Sequence, residues 1–445
     1  MRAAPPTDPA AVELAAKAAA VCRMGSLMLT AGTGSYRVKA AMGRVGRALG
    51  LDRLDVQVSL NELVVTAGIG SAFRTQVIEV PVPAINANRL NQLMRVSLVT
   101  ESGATAGLVN AQLDEVERRR PLYVPWLVIV AAIAGCAGFA LLNNGRWQEC
   151  LGAGLAAGLG KIVQVLLSRR RVNHLVVVFT AALVACAFYM AAATVLAAAL
   201  PGVDEPLRQT AFTSALFFLV PGFPLVTAAL DLARFDFVSG ISRLMYCVLI
   251  TLAAALGAWV IAFAFGMTPV ATPALAVPTG WLLVLHLVAS FVGVFSFAIT
   301  FQTPLRAALV TAVIGMIANT ARLSAMHFGL NTVLATVAAS TIIGLAAGWA
   351  SQRLPCPRII LSVPAVLIMV PGASTYRALL AVINDNPTIA LSNGMTAVSI
   401  VVALTGGLAV ARMLTDPAWT KANPTWTGMP RTRAQDLLRR RARRS

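Results

Sequence analysis

The tetrapeptide Leu219-Val220-Pro221-Gly222 recurs as Met369-Val370-Pro371-Gly372, and each copy interrupts a long apolar run. Proline removes a helix donor and clashes with the preceding turn, and glycine adds backbone freedom. A helix restarting after either glycine presents free N–H groups and the positive end of its dipole, both suited to a carboxylate. Thr227, Asp231, Arg234, Asp236, Ser239 and Arg243 follow the first break; Ser374, Thr375 and Arg377 follow the second. Ser374 and Thr375 suit N-cap positions, and Arg377 adds a charged donor one turn further on. The chemistry these types and spacings predict is reversible binding of a small carboxylated molecule between the breaks. Asp231 stands near the end of an apolar span, so it is a candidate for proton exchange. Its alternative is an interfacial ion pair with Arg234 or Arg243.

Two further polar residues fall within apolar runs. Lys161, with Gln164 one turn later, either binds a carboxylate or, as preferred here, snorkels toward Arg169. Asn319 lies at a comparable depth in a later run. His174, His286 and His327 are separated and have no evident ligand partners, so no metal site is expected. The six cysteines follow no pairing pattern. Gly32-Thr33-Gly34-Ser35 lacks the lysine of a phosphate loop, and no ATPase, nucleophile-elbow or metalloprotease motif occurs. No catalytic residue and no cofactor is therefore expected.

The elements that must position these residues are membrane helices. The chain of 445 residues is 58% hydrophobic and only 12% charged, with a mean hydropathy of +0.75. Ten spans are predicted at approximately 123–142, 147–167, 172–199, 210–231, 241–265, 281–301, 305–325, 330–350, 358–380 and 391–412. The net charge of +18 would suit a nucleic-acid partner if it were clustered in a soluble region. Instead Arg169-Arg170-Arg171, Arg234, Arg243, Arg306, Arg353 and Arg358 fall in alternate loops, as the positive-inside rule requires. Asp204-Glu205, the 266–280 linker and Asn384-Asp385-Asn386 fall on the other side, and only Arg146, Arg208 and Arg322 disagree. Both termini are then cytoplasmic.

The fold class expected is an α-helical polytopic membrane protein with a small cytoplasmic α+β domain. Residues 10–120 form that domain, with helices at about 10–30, 34–49, 86–101 and 105–118. Short alternating runs at 55–60, 63–67 and 73–80 predict an antiparallel sheet. Residues 121–270 and 271–415 form two five-span halves. Phe139-Ala140-Leu141 before Arg146 is echoed by Phe297-Ala298-Ile299 before Arg306, and each half then reaches its Val-Pro-Gly break. An odd number of spans per repeat inverts the second half, the geometry of alternating access. Residues 416–445 are a basic, disordered tail suited to anionic lipids rather than nucleic acid. The sequence is also compatible with a homo-oligomer.

Gly34-Ser35-Tyr36-Arg37-Val38, Met42, the run Arg44 to Gly50, Asn88-Arg89-Leu90-Asn91-Gln92-Leu93 and Leu113-Asp114-Glu115 resemble motifs of the bacterial threonine/serine exporter family. Val220-Pro221-Gly222 with Asp231, Ser239-Gly240 and Arg243 resembles it too, as does Val370-Pro371-Gly372 with Tyr376-Arg377. The likeness spans roughly residues 12–415. It implies a ten-span exporter of L-threonine and L-serine in a bacterial inner membrane, with a cytoplasmic N-terminal domain, driven by the proton motive force. On that footing the substrate carboxylate meets the helix starts after Gly222 and Gly372, with Arg377. Its ammonium meets Asp231 or carbonyls at the breaks, and its hydroxyl meets Thr227 or Ser374. The chain departs from the family in having Lys39 where an acid often follows, and Val226, Thr227 and Leu230 at commonly polar positions. Split two-chain relatives export dicarboxylates, which makes that the alternative substrate class, with Lys161 as the second cation. A membrane enzyme using Glu62, Arg74 and Asp114, or an uncoupled channel, are alternatives of other classes.

Overall fold

The computed structural model describes residues 8–81, 84–199, 209–267, 275, 277–416 and 419. Arg208, the Asp204-Glu205 loop, most of the 266–280 linker and the basic tail lie outside the described residues.

The N-terminal unit begins with α1 (Pro9–Thr30), capped by Asp8, and α2 (Ser35–Ala48). Gly50 at φ +75° turns the chain out of α2, as expected at that glycine. Strands β1 (Arg53–Val58), β2 (Glu62–Ile69) and β3 (Ala72–Glu79) follow as an antiparallel meander, with Val56 opposite Val65 and Thr66 opposite Thr75. Alternation turns Leu63, Val65 and Ala67 inward toward α1, so one sheet face is buried. Helices α3 (Ala87–Val99) and α4 (Ala106–Arg118) are capped by Asn86 and Thr105. Met24, Met28, Met42, Leu63, Leu90 and Leu93 fill the core between these elements.

The remaining helices are α5 (Pro125–Leu142), α6 (Trp147–Arg169), α7 (His174–Ala199), α8 (Gln209–Ser214), α9 (Gly222–Leu232) and α10 (Phe237–Ala264). After the linker come α11 (Thr279–Thr300), α12 (Leu305–His327), α13 (Thr332–Arg353), α14 (Arg358–Leu367), α15 (Gly372–Ile383) and α16 (Pro387–Thr415). Among the described residues eight of these are long and apolar enough to cross a membrane. Two bent pairs bring the number of crossings to ten if each pair is one span. The segment Ala211–Leu219 meets α9 at 67°, and α14 meets α15 at 50°. Trp126, Trp147, Trp281 and Trp349 project outward near helix ends, where amphipathic rings suit a membrane interface.

Pairings recur in the two stretches. Helix α5 packs on α6 and α7 on α10, as α11 packs on α12 and α13 on α16; α5 and α11 pack on each other. Small residues set these approaches. A Cβ on Gly154 would stand 2.8 Å from the Ile133 carbonyl. Gly344 lies against Ala411, and Gly348 against the Arg358 guanidinium. The two small-x-x-x-small stretches are therefore packing seams, as their spacing predicts.

Candidate functional site

The two breaks share one backbone path. Pro221 has φ −78°, ψ 51° and Pro371 has φ −79°, ψ 56°. In both, the glycine N–H donates to the valine carbonyl two residues back at 2.8 Å, and the next helix closes at 3.0 Å onto the proline carbonyl. The broken helices also cross. Leu367, just before the second break, lies against Gly222, while Phe217, just before the first, lies against Gly372. Phe217 stacks on Phe139 at 3.5 Å and meets Phe297 edge-on at 5.0 Å. Apolar side chains thus cover both helix starts in this conformation.

The starts differ as anion receivers. Pro224 occupies the third position of α9 and has no N–H, whereas α15 has Ser374 there and keeps that donor. Proline, not Ser374 or Thr375, takes the N-cap of α15, because Pro371 already holds the turn that α15 restarts from. The Thr375 hydroxyl instead donates to the Pro371 carbonyl at 2.9 Å. Arg377 lies one turn on, half-buried. The Thr227 hydroxyl is buried and already donates to the Phe223 and Pro224 carbonyls, and it accepts from Arg243 at 3.5 Å. Its free capacity for a substrate hydroxyl is therefore small.

Asp231 is 3% exposed, and its partner is the interfacial arginine considered from sequence. The Arg243 Nε stands 3.5 Å from Oδ2, and the Ser239 hydroxyl donates to the same oxygen at 2.9 Å. A third donor comes from the N-terminal unit: the Ser35 amide, at 3.1 Å. Helix α2 has Gly34 at its N-cap and no side-chain cap of its own, so Asp231 fills that role from the membrane unit. A Cβ on Gly34 would stand 2.9 Å from the Asp231 carboxylate, so only glycine allows this approach. Arg243 completes the clasp by donating to the Thr33 carbonyl at 2.9 Å. Beside it Lys39 pairs with Asp236 at 2.5 Å, and the Ser35 hydroxyl donates to Asp236 at 2.8 Å. Lys39, the departure noted in sequence, thus has a complementary acid. Removing one member of the Asp231–Arg243 pair would cost about 3–5 kcal/mol, because it strands a buried charge.

The same unit also touches the second stretch. Ala87 and Asn88 at the start of α3 donate to the Phe301 and Gln302 carbonyls at 2.9 and 3.2 Å. Tyr123 donates through its hydroxyl to the Thr303 carbonyl at 2.8 Å.

The Lys161 ammonium donates to the Gln164 side-chain Oε1 at 2.8 Å, one turn along α6 in the direction of Arg169, and stands 6.0 Å from the Phe218 ring centroid, beside the first break. Asn319, buried in α12, donates to the Ser290 hydroxyl at 2.9 Å and accepts from Arg322 at 3.2 Å. Each second helix therefore carries a cation and an amide three residues apart, in reversed order. Arg322, a misfit in the loop count, is explained by this pairing.

Sequence reading passed over Tyr189, and over the hydroxyl of Tyr376. Both hydroxyls are buried without a hydrogen-bond partner, and the rings flank Phe212 at 6.1 and 5.6 Å. Only an alignment of α7 with α15 in space brings them together, and no local spacing signals it. In the N-terminal unit Asp114 pairs with Arg23 at 2.5 Å, and Glu62 and Arg74 lie apart from it on the sheet.

Apolar helices packed around two crossed, interrupted ones make this a multi-pass membrane protein, and the family models that match it place it among transporters rather than enzymes. Two sequence models of threonine/serine exporters match in tandem, one over residues 19–266 and the other, "Threonine/Serine exporter, ThrE", over 286–414. The chain belongs to the threonine/serine exporter (ThrE) family. It is 25% identical over 415 residues to a "Probable threonine/serine exporter" of Mycobacterium tuberculosis, covering 89% of this chain and 75% of that one. A "Threonine/serine exporter" of Corynebacterium glutamicum is 24% identical over 453 residues, covering 95% and 91%. A "Probable succinate transporter subunit YjjP" of Klebsiella aerogenes is 27% identical over 241 residues, covering 52% and 86%. No solved structure matches.

Proposed function

We propose that this chain is a secondary exporter of small hydroxylated amino acids, L-threonine and L-serine, driven by the proton motive force. The reading rests on the crossing of two Pro-Gly breaks in a chain aligned along most of its length with proteins named as such exporters. On this reading residues 121–270 and 271–415 are inverted five-span halves in a bacterial inner membrane. The domain of residues 10–120 and both termini are cytoplasmic, and the basic tail contacts anionic lipid. Rocking of one half on the other withdraws Leu367 and Phe217 and frees the helix starts behind Pro221-Gly222 and Pro371-Gly372. The start of α15, with its extra donor and Arg377, receives the carboxylate. Ser374 and the unsatisfied Tyr376 hydroxyl serve the substrate hydroxyl, and backbone carbonyls at the breaks serve the ammonium. Asp231 acts as the proton-sensitive clasp: its protonation cancels the negative charge that Ser35 N–H, Ser239 and Arg243 share, and loosens the cytoplasmic domain.

A second reading, dicarboxylate export, draws on Lys161 beside the first break and on the relatives named as succinate transporter subunits. Counterflow of labelled threonine, serine and succinate in proteoliposomes, with and without a pH gradient, separates the two. Gradient-responsive threonine and serine flux supports the first reading; succinate flux alone supports the second. Asp231→Asn should abolish the response to the gradient, and unchanged pH-driven efflux in that variant removes Asp231 from coupling.

A further inference from the structure

At the seam where α2 meets the membrane helices, positive charge outruns its partners. Arg234 lies with its guanidinium carbon 3.7 Å from the Tyr36 ring centroid and 5.1 Å from that of Trp419. Arg412, 5% exposed near the end of α16, stands 5.6 Å from the Trp419 ring. Arg37 feels the charges of Asp231, Asp416 and Arg234, and Arg412 feels those of Arg37, Arg358 and Asp416. The nearby acids are largely committed. Asp231 holds Ser35, Ser239 and Arg243, and Asp236 holds Lys39 and Ser35. Arg358 is satisfied by the Gly344 and Ala411 carbonyls and the Thr415 hydroxyl. That leaves Arg37, Arg234 and Arg412 with no carboxylate within ion-pair distance among the described residues. Two buried donors at the same place, Arg234 Nη1 and Trp419 Nε1, also have no hydrogen-bond partner among the described residues.

Guanidiniums taken out of water without an anion are strongly disfavoured, and the planar fork of arginine is matched by a two-oxygen anion. Burial, helped by the nearby charge of Arg234, pulls the Arg37 guanidinium below its ordinary value, with Tyr36, Asp231 and Asp416 opposing the shift.

We propose that Arg37, Arg234 and Arg412 form an oxyanion site that takes the substrate's carboxylate on the domain side, before it reaches the breaks. This rests on the export reading above. The site stands at the domain-side end of α9, three turns beyond the first break, and Trp419 closes one side of it. An amino acid arriving there would exchange its hydration for charge-assisted hydrogen bonds from Arg234 Nη1 and the neighbouring guanidiniums.

The test uses the purified full-length chain in two assays. In the first, thermal shift in detergent is read with L-serine, serinol (which lacks the carboxylate), acetate and inorganic phosphate. Stabilisation by serine but not serinol, lost in Arg234→Gln and kept in part in Arg234→Lys, is expected. In the second, flux in proteoliposomes is measured from each face. Arg37→Gln and Arg234→Gln should raise KM about tenfold from the face bearing the N-terminal domain and leave KM from the other face unchanged. Equal changes from both faces, or none, overturn the carboxylate-receiving role. Arginine-dependent stabilisation by acetate or phosphate, without any by serine, overturns the substrate as the source and also counts against the export reading. Serine flux with no arginine-dependent effect of any ligand overturns the site and leaves the export reading standing.

Discussion

Aligned on their prolines, the first break carries Asp231, Ser239 and Arg243 where the second carries Ala381, Ile389 and Asn393. The backbones match to a few degrees at the proline, yet the first break is tied to the N-terminal unit through a charged clasp that the residues aligned with it in the second break do not repeat. Ala381 is buried without polar work, and Asn393 spends its amide on the Ile389 carbonyl of its own helix. The break itself is thus a property of Pro-Gly in a helix. The control of the break is a separate property, added by three side chains on one copy.

The largest effect should come from splitting the clasp. Arg243→Met should lower unfolding stability in detergent by about 3–5 kcal/mol, because Asp231 is left buried without its counter-ion. Adding Asp231→Leu should recover most of that stability while export stays lost. A double variant destabilised by the sum of the two single effects, with Asp231→Leu measured alone as well, would mean that the pair carries no coupling.

Next come the two glycines at the crossing, where the matched breaks should respond with opposite sign. A Cβ on Gly222 would stand 2.2 Å from Leu367 Cδ2, so Gly222→Ala should cost about 1–3 kcal/mol by overpacking. At Gly372 the nearest atom is 3.5 Å away, in Phe217, so Gly372→Ala should be neutral or stabilising by about 0.5–1 kcal/mol through helix propensity. Thermal unfolding of both variants decides this, and Leu367→Ala should relieve the first but not alter the second.

Gly34→Ala tests the docking side of the clasp. With φ −68° the backbone accepts alanine, so the whole effect is the 2.9 Å approach to Asp231. A loss of about 1 kcal/mol is expected, with faster proteolysis at Arg118-Arg119-Arg120 as the domain loosens. Unchanged cleavage would show that the seam yields without undocking. The smallest effect should follow Pro224→Ser, which gives the first helix start the donor that Ser374 leaves in the second. Substrate affinity should rise about threefold, as expected for one more N–H at a helix N-terminus.

The breaks were legible because proline and glycine act within one turn, and the N-terminal helices and strands because their periods are local. Arg243 was not legible as a buried residue. By composition it reads as an inner-loop cation at the very edge of the predicted 241–265 span, whereas α10 begins at Phe237 and packs on α9, which sets Arg243 well inside the helix and buries it. Gly34-Ser35 reads as an ordinary helix start, since nothing near it in the chain indicates its acceptor. Lys161 was legible as a cation inside an apolar run with an amide one turn on, but the Phe218 ring beside it belongs to the first break, 57 positions away, and nothing local signals it. The N-cap role expected of Ser374 and Thr375 failed because proline had already set the cap one step earlier.

The clasp also has a consequence for the order in which the protein is made. The amide of Ser35 must wait for an acceptor that lies 196 positions downstream. At ribosomal speeds of roughly 5–20 residues per second, that is a delay of roughly ten to forty seconds. Over that interval α2 exists with a ragged start, and it is sealed only when the first interrupted helix has been threaded and turned. A chain that fails to bring Asp231 into place therefore leaves the first amides of α2 without their carboxylate acceptor, however well the rest of the N-terminal unit has packed.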